Sequence, residues 1–254
     1  MKNRINLVKC PVDCITLADV MELLQEAIAN GQRLLVGGVN ASTVVDANRD
    51  MNFRTLLNEI DIIVPDGYWI QVASRILRYP MTNHVAIVVL TFQMLKKLGQ
   101  QHRRVYLLGA KDFVVREAAN EIIRRFAGIE IAGVRDGYFS EIEEQDIIQH
   151  VNQAKPHLLL IGMSSPKKEQ FMVRNRGRFE VPLVIGVGGL FDILGGKTRE
   201  GPMWLRNYGL MWLFRFIQEP RKLWRRYTIT NFQFIWLVLK QALSKYVCRT
   251  NNVI

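Results

Sequence analysis

The sequence predicts an α/β protein: a mostly parallel sheet covered by helices on both faces, followed by a helical C-terminal appendage. Two observations predict it. Up to about Phe191, short apolar runs alternate with helical patterns, as in strands joined by crossover helices. After Phe191 the alternation stops, and the remainder reads as helices broken at Gly201-Pro202 and at Glu219-Pro220. This places an α/β domain at residues 1–198 and a basic, Trp-rich helical appendage at 199–254. At 254 residues the chain can bury a full core as one domain of α/β size with a small addition.

In order, the predicted strands are RLLVGGV (33–39), DIIVPDG (61–67), RVYLLGA (104–110), IEIAGV (129–134), HLLLIGM (157–163) and PLVIGVGG (182–189). Most end in Gly, Asp, Asn or Ser. The pattern is Rossmann-like, and sheets of that kind bind ligands at the carboxyl ends of their strands. There, glycines let a phosphate approach the backbone and helix N-termini offer N–H groups. Between strands, Asp112 is expected to cap FVVREAANEIIRRF (113–126). Ser140 with Glu143 makes a capping box at EEQDIIQHVNQA (143–154). The chain shows no internal repeat and no low-complexity linker.

With 49% hydrophobic and 22% charged residues the composition is globular, and the net charge of +11 points to an anionic partner: nucleic acid, acidic lipid or a phosphorylated ligand. The charge is concentrated. From Gly201 onward nine Lys or Arg face one acidic residue, Glu219, and four of the five tryptophans (Trp204, Trp212, Trp224, Trp236) lie there too. Cys10, Cys14 and Cys248 form neither a paired framework nor a metal-site spacing, so a reducing cytoplasm is the default. The N-terminus lacks the apolar run of a signal peptide. The run FIWLVL (234–239) is far short of the roughly 20 residues a spanning helix needs, so the chain is expected to lie on a membrane rather than cross it.

Several chemistries are disfavoured by what is missing. The histidines (His84, His102, His150, His157) are scattered and no Asp-x-Asp joins a strand to a helix, so no metal site is expected. Neither the nucleophile elbow of serine hydrolases nor a P-loop occurs, and the glycines of GVGGLFDILGG (186–196) are out of register for a dinucleotide fingerprint. Chemistry needing no metal and no redox cofactor remains.

Acidic and polar strand ends are the candidates. Asp66, directly after a strand in VPDG, can act as a general base, although the residues alone favour an Asx-turn before Gly67. Asn40 reads first as a helix cap and second as a ligand contact. Asp136 and Tyr138 read as a turn, and Lys111 as a solvated loop charge. In GMSSPKKEQF (162–171) a helix starts near Pro166; its N–H groups with Lys167 or Lys168 can hold a diphosphate, and a plain capped helix fits equally.

The stretch GLMWLFRFIQEPRKLWRRY (209–227) mixes tryptophan with arginine. Tryptophan settles at the headgroup level of a bilayer, and each cation near anionic lipid contributes about 1 kcal/mol, so such a helix lies in the interface. Arg221, Arg225 and Arg226 can alternatively line a phosphate site. A helical hairpin packed on the core with a solvated basic face is the third reading. Nucleic acid is not the expected partner, because the aromatics sit among Leu, Ile and Phe rather than in a polar groove.

In series, VPDGYW, LLGAK, DGYF, GMSSPKKEQF, GVGGLFDILGGK and GLMWLFRFIQEPRKLWRRY resemble the WecG/TagA/CpsF glycosyltransferases, family 26, from about residue 5 to 235. The resemblance implies a peripheral enzyme on the cytoplasmic face of the cell membrane. It would move a sugar from a UDP-sugar to a polyprenyl-diphosphate-linked acceptor, with inversion and without metal or cofactor, to build wall polymers, capsules or exopolysaccharides. By position, Asp66 matches the general base and Asn40 its polar neighbour. Tyr138 and Asp192 match the nucleotide site, and Arg215, Arg221 and Arg226 fall in an appendage that meets an anionic membrane surface and closes over the diphosphate. Departures from the family pattern are Gly38 for Thr, His84 for Arg, a missing acid in HVAIVV (84–89), Lys168 for Gln, Glu200-Gly201-Pro202 for Arg-Ala-Pro, and Met211 for Glu. Lys168 and His84 remain substrate-binding candidates. The alternative is a non-catalytic relative that binds a nucleotide sugar or lipid-linked intermediate within a polysaccharide assembly complex.

Overall fold

A computed structural model describes residues 3–81, 85–199, 201–202, 205 and 211–251. The chain opens with an antiparallel hairpin, β1 (Arg4–Leu7) and β2 (Cys10–Asp13). Then come α1 (Leu17–Ala29), β3 (Leu34–Val39), α2 (Ala41–Arg49), α3 (Met51–Asn58), β4 (Ile62–Pro65), α4 (Tyr68–Ile76) and α5 (Ile87–Gln100). Next are β5 (Arg104–Gly109), α6 (Asp112–Arg125), β6 (Glu130–Arg135), α7 (Glu144–Gln153), β7 (Leu158–Gly162), α8 (Lys167–Arg174), β8 (Leu183–Gly186) and α9 (Leu190–Leu194). The tail carries α10 (Met211–Gln218), α11 (Pro220–Arg225), a π-helical turn at Arg226–Thr230 and α12 (Asn231–Asn251).

All six predicted strands form, and they make one parallel sheet in the order β4-β3-β8-β7-β5-β6. Successive side chains of a strand point to opposite faces, and all of these strands except the edge strand β6 bury both. Leu35, Ile63, Leu159, Ile161 and Val184 pack on the side of the hairpin, α2, α3, α4, α7, α8 and α12. Val36, Ile62, Val64, Leu158, Leu160 and Ile185 pack on the side of α1, α5, α6 and α9. Burial on both faces is why the strands read as unbroken apolar runs.

Two helix starts differ from expectation. Asp112 is the first residue of α6 and not its cap; Lys111 holds the cap position, and the Asp112 carboxylate accepts from Arg116 Nε at 2.9 and 3.0 Å instead. An i,i+4 guanidinium outcompetes the local backbone for that carboxylate. Glu143 does meet Ser140, accepting both its N–H and its hydroxyl at 2.9 Å, but a turn intervenes and α7 begins at Glu144. The Ser140 hydroxyl therefore donates to the carboxylate rather than accepting from the helix.

Helix α12 lies against the core. Phe234 and Val238 are buried in the cluster beside α2 and α4. Gln241 accepts the Val8 N–H at 2.9 Å, and Lys245 donates to Leu77 O at 3.3 Å. Its opposite face is apolar and exposed: Phe232, Ile235, Trp236, Leu239 and Leu243 recur at helical spacing. No helix among the described residues is long and apolar enough to cross a membrane.

Candidate active site

A cleft of about 530 Å³ runs along the carboxyl ends of the parallel strands. Gly38 lies one residue before the end of β3, Gly162 closes β7 and Gly186 closes β8, while Asn40, Asp66, Ala110 and Gly137 follow β3, β4, β5 and β6. The connection from β5 runs outward to β6 while that from its neighbour β7 runs the other way to β8, and the crevice outside such a reversal is where open α/β sheets bind ligands. Residues 219 and 223, from the start of α11, complete the lining.

Of the residues singled out from sequence, Asn40, Asp66, Tyr138, Lys168 and Asp192 all line this one cleft. Asn40 caps α2 as its local reading suggests: its Oδ1 accepts the N–H groups of Ser42 at 3.0 Å and Thr43 at 3.3 Å. Asp66 sits at the end of β4, where its N–H donates to Val39 O at 2.9 Å. Its Oδ1 accepts the Ile87 N–H at 3.1 Å, tying the carboxylate to the first turn of α5.

Tyr138 is 70% exposed at the cleft mouth. The turn expected there is present: the Tyr138 N–H donates to Asp136 Oδ1 at 2.8 Å, and Asp136 is ion-paired with Arg135. Lys167 fastens this loop, its ammonium donating to Gly137 O at 3.1 Å and standing 4.6 Å from the centre of the Phe139 ring. Asp192, half-buried, pairs with Lys197 at 3.1 Å.

Lys168 is ion-paired with Glu169 at 2.9 Å, both buried. Arg221 stands exposed on α11, outside the cleft lining. His84 lies outside the described residues, as do the side chains of Arg215 and Arg226. Cys10 is no nucleophile, because burial pushes its thiol up to about 12.

Sequence reasoning missed Ser42, Asp46, Lys197 and Glu219, which also line the cleft. Ser42 and Asp46 had a signal. They lie four residues apart on the helix that Asn40 caps, hence on one face, and the Ser42 hydroxyl reaches Asp46 Oδ2 at 3.5 Å. Lys197 had one as well, since it ends the run GVGGLFDILGGK five residues after Asp192; Glu219 had none, because a distant segment brings it in.

Four lysines (Lys111, Lys167, Lys168, Lys197) and four carboxylates (Asp46, Asp66, Asp192, Glu219) thus share the cleft. The arrangement suits a ligand with both anionic and hydroxyl-rich parts. The cations attract phosphate, while the carboxylates accept from hydroxyls and can take a proton.

The chain matches the Glycosyl transferase WecG/TagA/CpsF family over residues 5–247. It is similar to the N-acetylglucosaminyldiphosphoundecaprenol N-acetyl-beta-D-mannosaminyltransferase of Bacillus spizizenii strain W23, at 28% identity over 77% of this chain and 74% of the relative. The enzyme of the same name from Staphylococcus aureus strain MW2 is 25% identical over 95% of both chains. With the cleft, the strand order and this match in agreement, the chain is a glycosyltransferase and belongs to the WecG/TagA/CpsF family.

Proposed function

We propose that the chain moves a sugar from a UDP-sugar onto a polyprenyl-diphosphate-linked sugar, inverting the anomeric centre without a metal, in the synthesis of a bacterial cell-surface polysaccharide. The names of its relatives support N-acetylmannosamine as the sugar moved and N-acetylglucosaminyl-diphosphoundecaprenol as the acceptor. The observation that carries the reading is the Asp66 carboxylate, held by the Ile87 N–H in a cleft that also contains the lysines a diphosphate needs.

In this mechanism Asp66 takes the proton of the acceptor hydroxyl as its oxygen attacks the anomeric carbon, and the diphosphate leaves toward the lysines. Asn40 and Asp66 work from adjacent strand ends, and Tyr138 and Asp192 hold the nucleotide. A cleft of about 530 Å³ is within the range of small-molecule sites. Arg215, Arg221 and Arg226 belong to the appendage that closes over the lipid-linked diphosphate, and His84 is a further substrate-binding candidate.

The chain works at the inner face of the cell membrane. The outward apolar stripe of α12, with Phe232 at 73% and Trp236 at 62% exposed, supports that placement, as does the basic tail. The test is transfer of radiolabel from a panel of UDP-sugars to polyprenyl-diphosphate-linked N-acetylglucosamine in detergent with EDTA. Asp66→Asn should lower transfer by about 10²- to 10⁴-fold. Full activity of that variant sinks the assignment of the base. UDP binding without any transfer by the unaltered chain points to the non-catalytic alternative.

A further inference from the structure

Lys168 and Glu169 are consecutive residues of α8 that form a buried ion pair beside the cleft, 7% and 2% exposed, with Nζ and Oε1 2.9 Å apart. The lysine reaches this position across the end of β8. A Cβ on Gly186 would stand 2.8 Å from Lys168 Cδ and 2.9 Å from its Cε, so a side chain at 186 would occupy the path of the lysine stem. Lys168 therefore lines the cleft while nearly all of it is covered.

Such a pair is a poor stabilising device. Taking both charges out of water costs more than their attraction returns unless the remaining donors and acceptors are satisfied. Among the described residues, Glu169 Oε2 has no hydrogen-bond partner here. Lys167 is placed differently: its ammonium is spent on Gly137 O and the Phe139 ring, fastening the Tyr138 loop.

We propose that Lys168 is the leaving-group cation of this glycosyltransferase, held at the cleft by Glu169 and admitted by Gly186. The identity of the anion rests on the transferase reading given above. In the reaction the acceptor oxygen bonds to the anomeric carbon, and the bond from that carbon to the diphosphate oxygen breaks with its electron pair going to the diphosphate. The hydroxyl proton passes to Asp66. Lys168 forms and breaks no covalent bond; its ammonium meets the charge that develops on the leaving oxygen, and Glu169 keeps it in place when the cleft is empty.

The experiment is calorimetric titration of the full chain with uridine, UDP and inorganic pyrophosphate, for the unaltered protein, Glu169→Gln and the double variant Lys168→Gln/Glu169→Gln. The double variant leaves no lone buried charge, and thermal melting checks each fold. The expected result is that the double variant binds UDP and pyrophosphate about 10- to 100-fold more weakly, with uridine unchanged. Glu169→Gln alone should bind both anions at least as tightly as the unaltered chain, because the lysine keeps its charge and loses its competitor. Unchanged anion binding by the double variant overturns the proposal. So does weakening by Glu169→Gln equal to that of the double variant, the mark of a purely structural pair. Lys168-dependent pyrophosphate binding in a chain that transfers no sugar upholds the anion site and removes the transferase reading; no anion binding by the unaltered chain removes both.

Discussion

Asp66 is fixed from two sides. Ile87 N–H holds its Oδ1 at 3.1 Å, and Gly38 of the neighbouring strand stands so near that a Cβ there would lie 3.0 Å from the Asp66 Cβ. An alanine at 38 must shift the carboxylate or the strand end by a few tenths of an ångström. Reaction rates respond to misplacements of that order, so Gly38→Ala should lower transfer about tenfold with little change in melting temperature. Unaltered turnover, measured beside the melt, would mean that the position of Asp66 is not critical. Local reading offered an Asx-turn or a base for this residue. One bond it makes runs to a helix start 21 positions later, a contact no local pattern encodes. Asn40 was more legible, because capping is a local interaction; it both caps α2 and lines the cleft.

At the scale of elements, five of the six parallel strands were readable because burial on both faces leaves an unbroken apolar run; the half-exposed edge strand β6 is the exception. The β1–β2 hairpin was not readable. Its turn residues, Val8 and Lys9, have φ of 50° and 60° without the Asn or Gly that usually marks such a turn. Long-range bonds hold it: Asn48 donates to Val8 O at 2.6 Å and Gln241 accepts the Val8 N–H at 2.9 Å. Asp13 does the rest. Fully buried, it takes both Arg4 Nε at 2.7 Å and the Ile63 N–H of β4 at 2.7 Å. Asp13→Ala leaves the Arg4 guanidinium with only the carbonyls of Asn58, Ile60 and Asp61 and strands the buried Ile63 N–H, so it should cost about 2 to 3 kcal/mol in urea unfolding. A loss within the usual range of surface substitutions, about 0.5 kcal/mol, would show that the hairpin is not clamped through this pair.

For the whole molecule, the outward stripe of α12 is a candidate membrane face. Phe232, Trp236 and Leu239 are exposed, so replacing all three with Ser should leave the fold intact. Sedimentation with anionic vesicles should fall at least tenfold, because that much apolar area no longer enters the bilayer. Unchanged sedimentation would remove α12 from the membrane contact. Phe234 and Trp236, two positions apart in one apolar run, show where sequence reading ends: Phe234 is in the core and Trp236 outside. By itself the sequence determined the sheet strands, the helical tail, its charge and the acidic and glycine-rich strand ends, because each is written in neighbouring residues. Only the tertiary structure decided which of those ends share a cleft, that Lys168 is buried with Glu169, and which face of α12 turns inward. Those depend on the strand order β4-β3-β8-β7-β5-β6 and on packing between segments far apart in the chain, where local propensity has no vote.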